Sequence, residues 1–105
     1  MKDRRRSRRW ERAVNRFAAE LGLWVLITRA KRCWQGQKLL IYSKASGAVL
    51  VTWLSGTGHW YAGSAVGNGS WRDALHLAAS LNQRAIRRTT AIKFGAVRPV
   101  QSAGA

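Results

Sequence analysis

Residues 38–54 read KLLIYSKASGAVLVTWL, and this stretch decides how the chain folds. Two runs rich in leucine, isoleucine, valine and aromatic residues flank the connector Ala45, Ser46 and Gly47. Such runs, joined by a few turn-forming residues, are typical of a β-hairpin. We therefore predict an antiparallel hairpin as the scaffold on which the rest of the chain is arranged.

An amphipathic helix is predicted on each side of this hairpin. Apolar residues recur at helical spacing over residues 10–21, and Gly22 follows as a residue that can close a helix. Ser70, with Asp73 three residues later, forms a capping box, which predicts the start of a second helix.

The remaining segments predict further strands. Residues 23–29, LWVLITR, favour a strand with apolar residues on both faces, which is expected at the centre of a sheet. Residues 59–62 are compatible with a fourth strand, whereas residues 63–69, GSAVGNG, indicate a flexible loop. The order helix, three- or four-stranded antiparallel sheet, helix predicts a two-layer α+β domain.

The length of 105 residues predicts one domain with a single modest core. We place it at residues 10–94, between a flexible basic arm at residues 1–9 and a disordered tail at residues 95–105. The apolar run at residues 21–28 is much shorter than a membrane span, and the lone Cys33 excludes an internal disulfide. We therefore expect a cytoplasmic protein that does not associate with membranes.

Charge is the strongest indication of function. Nineteen lysines and arginines face four acids, which gives a formal net charge of +15, and after Glu20 the only acid is Asp73. Ion pairing cannot neutralise such a chain, so its charges repel one another until a polyanion binds. Nucleic acid is the expected partner, and the charge favours neither DNA nor RNA and neither single nor double strands.

The basic residues fall into three groups: an N-terminal block, a loop after the first predicted strand, and the last turns of the second helix. Cations at a helix C-terminus also stabilise the helix dipole, but three arginines exceed what that effect requires. The predicted phosphate ligands are Arg4, Arg5, Arg6, Arg8, Arg9 and Arg12 in the block, Lys31 and Arg32 in the loop, and Arg84, Arg87 and Arg88 in the helix.

Aromatic residues add candidates for base stacking. Trp34 lies in the basic loop and is hard to explain as a core residue. Tyr42 shares a strand face with Lys38 and Lys44, a pattern typical of a stacking platform and equally of an ordinary solvent-facing strand. Helical or strand spacing predicts that Trp10, Trp24 and Trp71 belong to the core.

We predict no catalytic residue, metal site or cofactor, and the main interpretation is a non-enzymatic nucleic-acid-binding protein of low sequence specificity. One alternative is a small toxin-like ribonuclease that uses His59 as general acid or base. Another is a basic assembly protein whose partner is an acidic protein.

Overall fold

A computed structural model of the protein describes the backbone of residues 2–95 and the side chains of residues 8–90. The elements are helix α1 (Lys2–Glu20), strands β1 (Leu23–Arg29), β2 (Gln37–Ser43), β3 (Val49–Leu54), β4 (His59–Ala62) and β5 (Ala65–Asn68), and helix α2 (Trp71–Gly95). The strands form an antiparallel sheet in the order β1-β2-β3-β4-β5, so each strand pairs with its neighbours in sequence. The predicted α+β class is confirmed.

Both helices pack on the same face of the sheet. Alternate residues of β1, β2 and β3 point toward the helices and are buried with apolar residues from each of them. The buried cluster comprises Val14 and Ala18 of α1, Leu23 and Val25 of β1, Leu39 and Ile41 of β2, Val51 and Trp53 of β3, and Ala74, Leu75 and Ala78 of α2. The opposite face of the sheet, called the open face below, has neither helix on it.

Helix α1 extends from Lys2, upstream of the predicted start at Trp10, and ends at Glu20. Trp10 packs against the core, with its ring centroid 6.4 Å from that of Trp53. Within the N-terminal block, the side chains of Arg4, Arg5 and Arg6 lie outside the described side chains, whereas those of Arg8, Arg9 and Arg12 are described. Residues 96–105, within the segment predicted to be a disordered tail, lie outside the described residues.

The sheet has five strands, not three or four, because part of the predicted flexible loop forms β5 and pairs with β4. The Trp60 indole lies over Gly67, its partner residue, so closely that a Cβ atom at Gly67 would collide with the ring. Glycine is thus required here for packing, and it does not indicate flexibility at this position.

Strand β1 lies at an edge of the sheet, so the prediction of a central strand is wrong. Val25 faces the core, but Trp24 and Leu26 lie on the open face with 43% and 42% of their surface exposed. The apolar residues on both faces of β1 therefore reflect an apolar open face, not burial between two strands.

Helix α2 begins where the capping box predicts. The Ser70 backbone N–H donates to Asp73 Oδ2 at 2.9 Å, and the Asp73 N–H donates to Ser70 Oγ at 3.1 Å. The carbonyl of Gly69 accepts a hydrogen bond from Trp53 Nε1 at 2.9 Å, which fixes the start of the helix against β3. Over the backbone described, neither helix is long and apolar enough to cross a membrane.

The loops and turns of the sheet lie at two ends, and each end is named here after one of its residues. The Trp34 end carries the β1–β2 loop (residues 30–36) and the β3–β4 turn (residues 55–58), and the Lys44 end carries the β2–β3 turn (residues 44–48) and the β4–β5 turn (residues 63–64). Both helices run from the Trp34 end toward the Lys44 end. Phe17 packs against Trp71 near the start of α2, whereas Gly22, past the end of α1, lies beside Asn82 further along α2.

Candidate nucleic-acid interface

Helix α1 presents a stripe of arginines to solvent. Arg9, Arg12 and Arg16 are exposed and follow one another at spacings of three and four residues, which places them on one side of a helix. With Ala13 they line a groove of about 400 Å³. Arg8 is also exposed. Arg16 is not among the predicted ligands, although the helical spacing from Arg9 and Arg12 is sufficient to identify it.

The β1–β2 loop displays Trp34 on a well-supported backbone. Residues Cys33–Gln35 form a 3-10 turn, in which the Gln35 N–H donates to the Arg32 carbonyl at 2.9 Å. The neighbouring turn braces it, because the Gly56 N–H donates to the Gln35 carbonyl at 2.7 Å. Lys31 and Arg32 are exposed, and 63% of the Trp34 surface is exposed. Trp34 is therefore a surface residue, as predicted, with two cations beside it in the sequence.

Lys38 and Tyr42 lie on the open face, because their neighbours Leu39 and Ile41 point into the core. The Tyr42 ring stacks on the ring of Trp24, its cross-strand partner, with centroids 4.2 Å apart and an interplanar angle of 6°. The prediction that Trp24 belongs to the core is therefore wrong. Trp24 and Tyr42 form an aromatic pair that is accessible from solvent.

A second row of side chains crosses the whole open face next to this pair. Its members are cross-strand partners on consecutive strands, and none of them is charged. The row consists of Leu26, Leu40, Thr52, Tyr61 and Val66. Tyr61 is 40% exposed and Val66 61% exposed, so the face remains open out to its far edge.

The Lys44 end carries the other basic group. Arg84, Arg87 and Arg88 are exposed on the second half of α2, and Lys44 is exposed in the turn after β2. The Lys44 N–H donates to the Gly22 carbonyl at 3.2 Å, which places Lys44 close to the start of β1. Nearby, a groove of about 340 Å³ separates this turn from α2, lined by residues that include Ser46, Asn82 and Ile86.

The structure thus divides the predicted ligands between two ends of the sheet. Arg8, Arg9, Lys31, Arg32 and Trp34 belong to the Trp34 end, and the α2 arginines and Lys44 belong to the Lys44 end. Lys38 and Tyr42 lie between these groups on the open face.

The cap of α2 holds Asp73 in its charged form. The hydrogen bond from the Ser70 backbone, followed by that from its hydroxyl, lowers the pKa of Asp73. This carboxylate is stabilised by its own helix terminus, so it is not available as a general acid near neutral pH.

His59, the candidate of the ribonuclease alternative, is exposed at the start of β4, on the same face as Tyr61. His76 instead packs edge-to-face on Phe17, with ring centroids 5.2 Å apart. Within the described residues, no three His, Cys, Asp or Glu side chains come together as a potential metal site. Cys33 is exposed in the Trp34 loop.

Comparison with known proteins gives no relative: no family model, curated protein or solved structure matches the chain.

Proposed function

We propose that this protein binds nucleic acid, mainly through backbone phosphates and with low sequence specificity, and that aromatic side chains add base stacking. The observation that carries the proposal is the exposure of basic side chains at both ends of the sheet in a chain of net charge +15. Phosphate contacts of this kind provide affinity and orientation but do not read sequence.

The distribution of acids supports a polyanionic partner. Asp73 is the only acid after Glu20, and it is engaged in capping α2. The α2 arginines therefore have no acid near them in sequence to offset their charge. Arg84 and Arg88, one helical turn apart, repel each other. Phosphates bound beside these arginines would attract both of them and offset their mutual repulsion.

Trp34 is the first candidate for base stacking. Its ring is exposed in a braced turn, so little conformational freedom would be lost on binding. Lys31 and Arg32 are close enough in the chain to hold the phosphates of a stacked nucleotide.

The test is a binding titration with matched single-stranded DNA, duplex DNA, single-stranded RNA and duplex RNA at two salt concentrations. If six to ten phosphates are contacted, affinity should fall by roughly 10³- to 10⁵-fold between 50 and 200 mM salt. A flat salt response, or no shift of any of the four nucleic acids, would contradict the proposal. Stable binding to an acidic protein with no binding to nucleic acid would favour the assembly alternative.

A matched pair of variants separates charge from packing. Replacing Arg84, Arg87 and Arg88 together by glutamine should weaken binding and lower the slope of log affinity against log salt by roughly 0.7–0.9 for each phosphate that is no longer neutralised. Replacing the same three residues by lysine keeps the charge, and affinity should stay close to that of the wild type. Equal reductions of affinity in both variants would show that the arginines act otherwise than as phosphate ligands.

The same samples test the ribonuclease alternative. Incubated RNA analysed on a denaturing gel should remain intact if the protein only binds. Cleavage that disappears in His59→Ala, with binding retained, would replace the proposed function by the alternative.

A further inference from the structure

The open face of the sheet is apolar and exposed, although the protein as a whole is strongly basic. Trp24, Leu26, Val49, Tyr61 and Val66 are each at least two-fifths exposed, and all are placed on this face by the strand register. Exposed apolar surface of this extent commonly marks a binding site.

The aromatic pair on this face can be extended by a further ring. One side of the Trp24 indole is covered by Tyr42, and β1 is the edge strand, so no strand of the sheet covers its other side. Parallel rings 4.2 Å apart have the geometry in which a base would add to the stack. The exposed outer surface of Trp24 is thus shaped for a flat aromatic ligand.

Charge decides among the possible occupants. A second copy of the chain would bring a charge of +15 against +15, which opposes self-association through this face. Nucleic acid offers both a flat apolar surface for the open face and negative charge for the lysines, because its bases are flat and apolar on their faces and its phosphates are anionic. Lys38 on the open face and Lys44 close to the start of β1 are positioned to meet those phosphates.

Building on the nucleic-acid binding proposed above, we propose that the open face is a single-strand site, in which one base stacks on the outer side of Trp24 and neighbouring bases lie on the apolar row from Leu26 to Val66. A duplex keeps its base faces buried in its own stack and cannot use this surface. The site therefore confers a preference for single strands.

The experiment compares a short oligothymidylate with an abasic strand of the same length and phosphate count. The variant Trp24→Leu removes the ring but keeps an apolar side chain, and Trp24→Phe keeps an aromatic ring as the matched control. Wild-type protein should bind the oligothymidylate more tightly than the abasic strand and more tightly than a duplex. Trp24→Leu should lose about 5- to 100-fold in affinity for oligothymidylate and none for the abasic strand, while Trp24→Phe retains most of the wild-type affinity.

Equal wild-type affinity for the two strands, or unchanged oligothymidylate binding by a folded Trp24→Leu, would overturn the single-strand site. Salt-dependent binding to the abasic strand would then still support the phosphate binding proposed above, whereas failure to bind any strand would overturn both. Where Trp24→Leu fails to fold, equal wild-type affinity for the two strands still overturns the site, and so does a preference for oligothymidylate that Trp34→Leu abolishes, because the stacking would then belong to Trp34.

Sedimentation of the free protein tests the competing occupant. A wild-type dimer that Trp24→Leu converts to a monomer would assign the open face to a second copy and overturn the proposal. A monomer in both cases agrees with a face kept free for nucleic acid.

Discussion

At the first turn of α2, Ser70 and Asp73 each satisfy the other's backbone N–H group. Helix N-termini have unpaired N–H donors, and this reciprocal pair of bonds is a common way of satisfying them. It also gives the acid a defined role, because the hydrogen bonds that the Asp73 carboxylate accepts from Ser70, chiefly from its backbone N–H, lower the pKa of Asp73.

The lowered pKa predicts how stability depends on pH. A carboxyl group whose pKa is lower in the folded than in the unfolded state stabilises the fold at pH above its unfolded value, near 3.9. This contribution is lost as the pH falls through the folded-state pKa. We therefore expect the melting temperature of the wild type to fall more steeply below about pH 4 than that of Asp73→Asn, in which this group does not titrate.

Thermal melts followed by circular dichroism between pH 2 and pH 7 measure this difference, with Glu20→Gln as control for an acid with no role in the cap. The two curves for wild type and Asp73→Asn should approach each other at the acid end. Curves that run parallel over the whole range would show that the cap does not depend on the charge of Asp73.

Single residues also show what local patterns can and cannot predict. The capping box is readable from the sequence because every contact in it lies within four residues. The exposure of Trp24 is not readable in this way, because a strand with apolar residues on both faces has the same sequence pattern whether its second face is buried or open. Only the pairing of β1 with β2, and the absence of a strand on its other side in the sheet, places Trp24 beside Tyr42 on the surface.

At the scale of elements, the β1–β2 loop and the β3–β4 turn hold each other in place through hydrogen bonds. The Gln37 N–H donates to Ser55 Oγ at 2.8 Å, and the Ser55 N–H donates to the Gln37 carbonyl at 2.9 Å. A Cβ atom at Gly56 would collide with the backbone of Trp34 and Gln35. The turn therefore determines the position of the loop that carries Trp34.

Gly56→Ala should displace this loop. Since backbone atoms must move to admit the methyl group, we expect a loss of about 1–3 kcal/mol in the free energy of unfolding. Nucleic-acid affinity should also fall, because Lys31, Arg32 and Trp34 move with the loop. Urea denaturation and the binding titration measure the two effects.

Gly63→Ala is the matched control. Gly63 has φ +61° in the β4–β5 turn and open space around it, so alanine there costs about 1–2 kcal/mol through backbone strain alone. Gly63→Ala should leave the affinity for nucleic acid unchanged. If both variants lost affinity equally, destabilisation in general would explain the result and the bracing of Trp34 would not.

Strand β5 illustrates why the sequence predicts too few strands. Glycine is depleted in strands, so a segment with three glycines in seven residues indicates a loop. The feature that overrides this propensity is the Trp60 ring lying over Gly67, a contact across two strands. Helix positions and the hairpin are predictable from periodicity, whereas this pairing depends on tertiary packing.

For the whole molecule, the sum of charges is predictable but their arrangement is not. The sequence shows that α1 is basic at its start and α2 along its second half. Because the two helices run in the same direction over the sheet, these segments end up at opposite ends. A long polyanion that contacts both basic segments would have to span the length of the sheet.

The net charge predicts opposite effects of salt on stability and on binding. The Debye screening length falls from about 10 Å at 0.1 M salt to about 3 Å at 1 M, which weakens the charge repulsion within the free protein. The melting temperature of the free protein should therefore rise with sodium chloride while nucleic-acid affinity falls. The variant with glutamine at positions 84, 87 and 88 has three positive charges fewer and should show a weaker rise. A melting temperature that falls with salt in both proteins would contradict the role of repulsion.

The order of strands in the sheet has a consequence for the time course of folding. Every strand pairs with the strand next to it in sequence, and α1 reaches β1 through Leu21 and Gly22 alone. When two strands that are consecutive in the sequence pair, the loop between them is short, and isolated hairpins form within about 1–10 μs. The sheet can thus grow by adding one strand at a time. Its pairings have low contact order, which favours rapid folding. Rapid assembly shortens the period in which both apolar faces of the sheet are exposed, and mutual repulsion between like-charged chains limits aggregation in that interval.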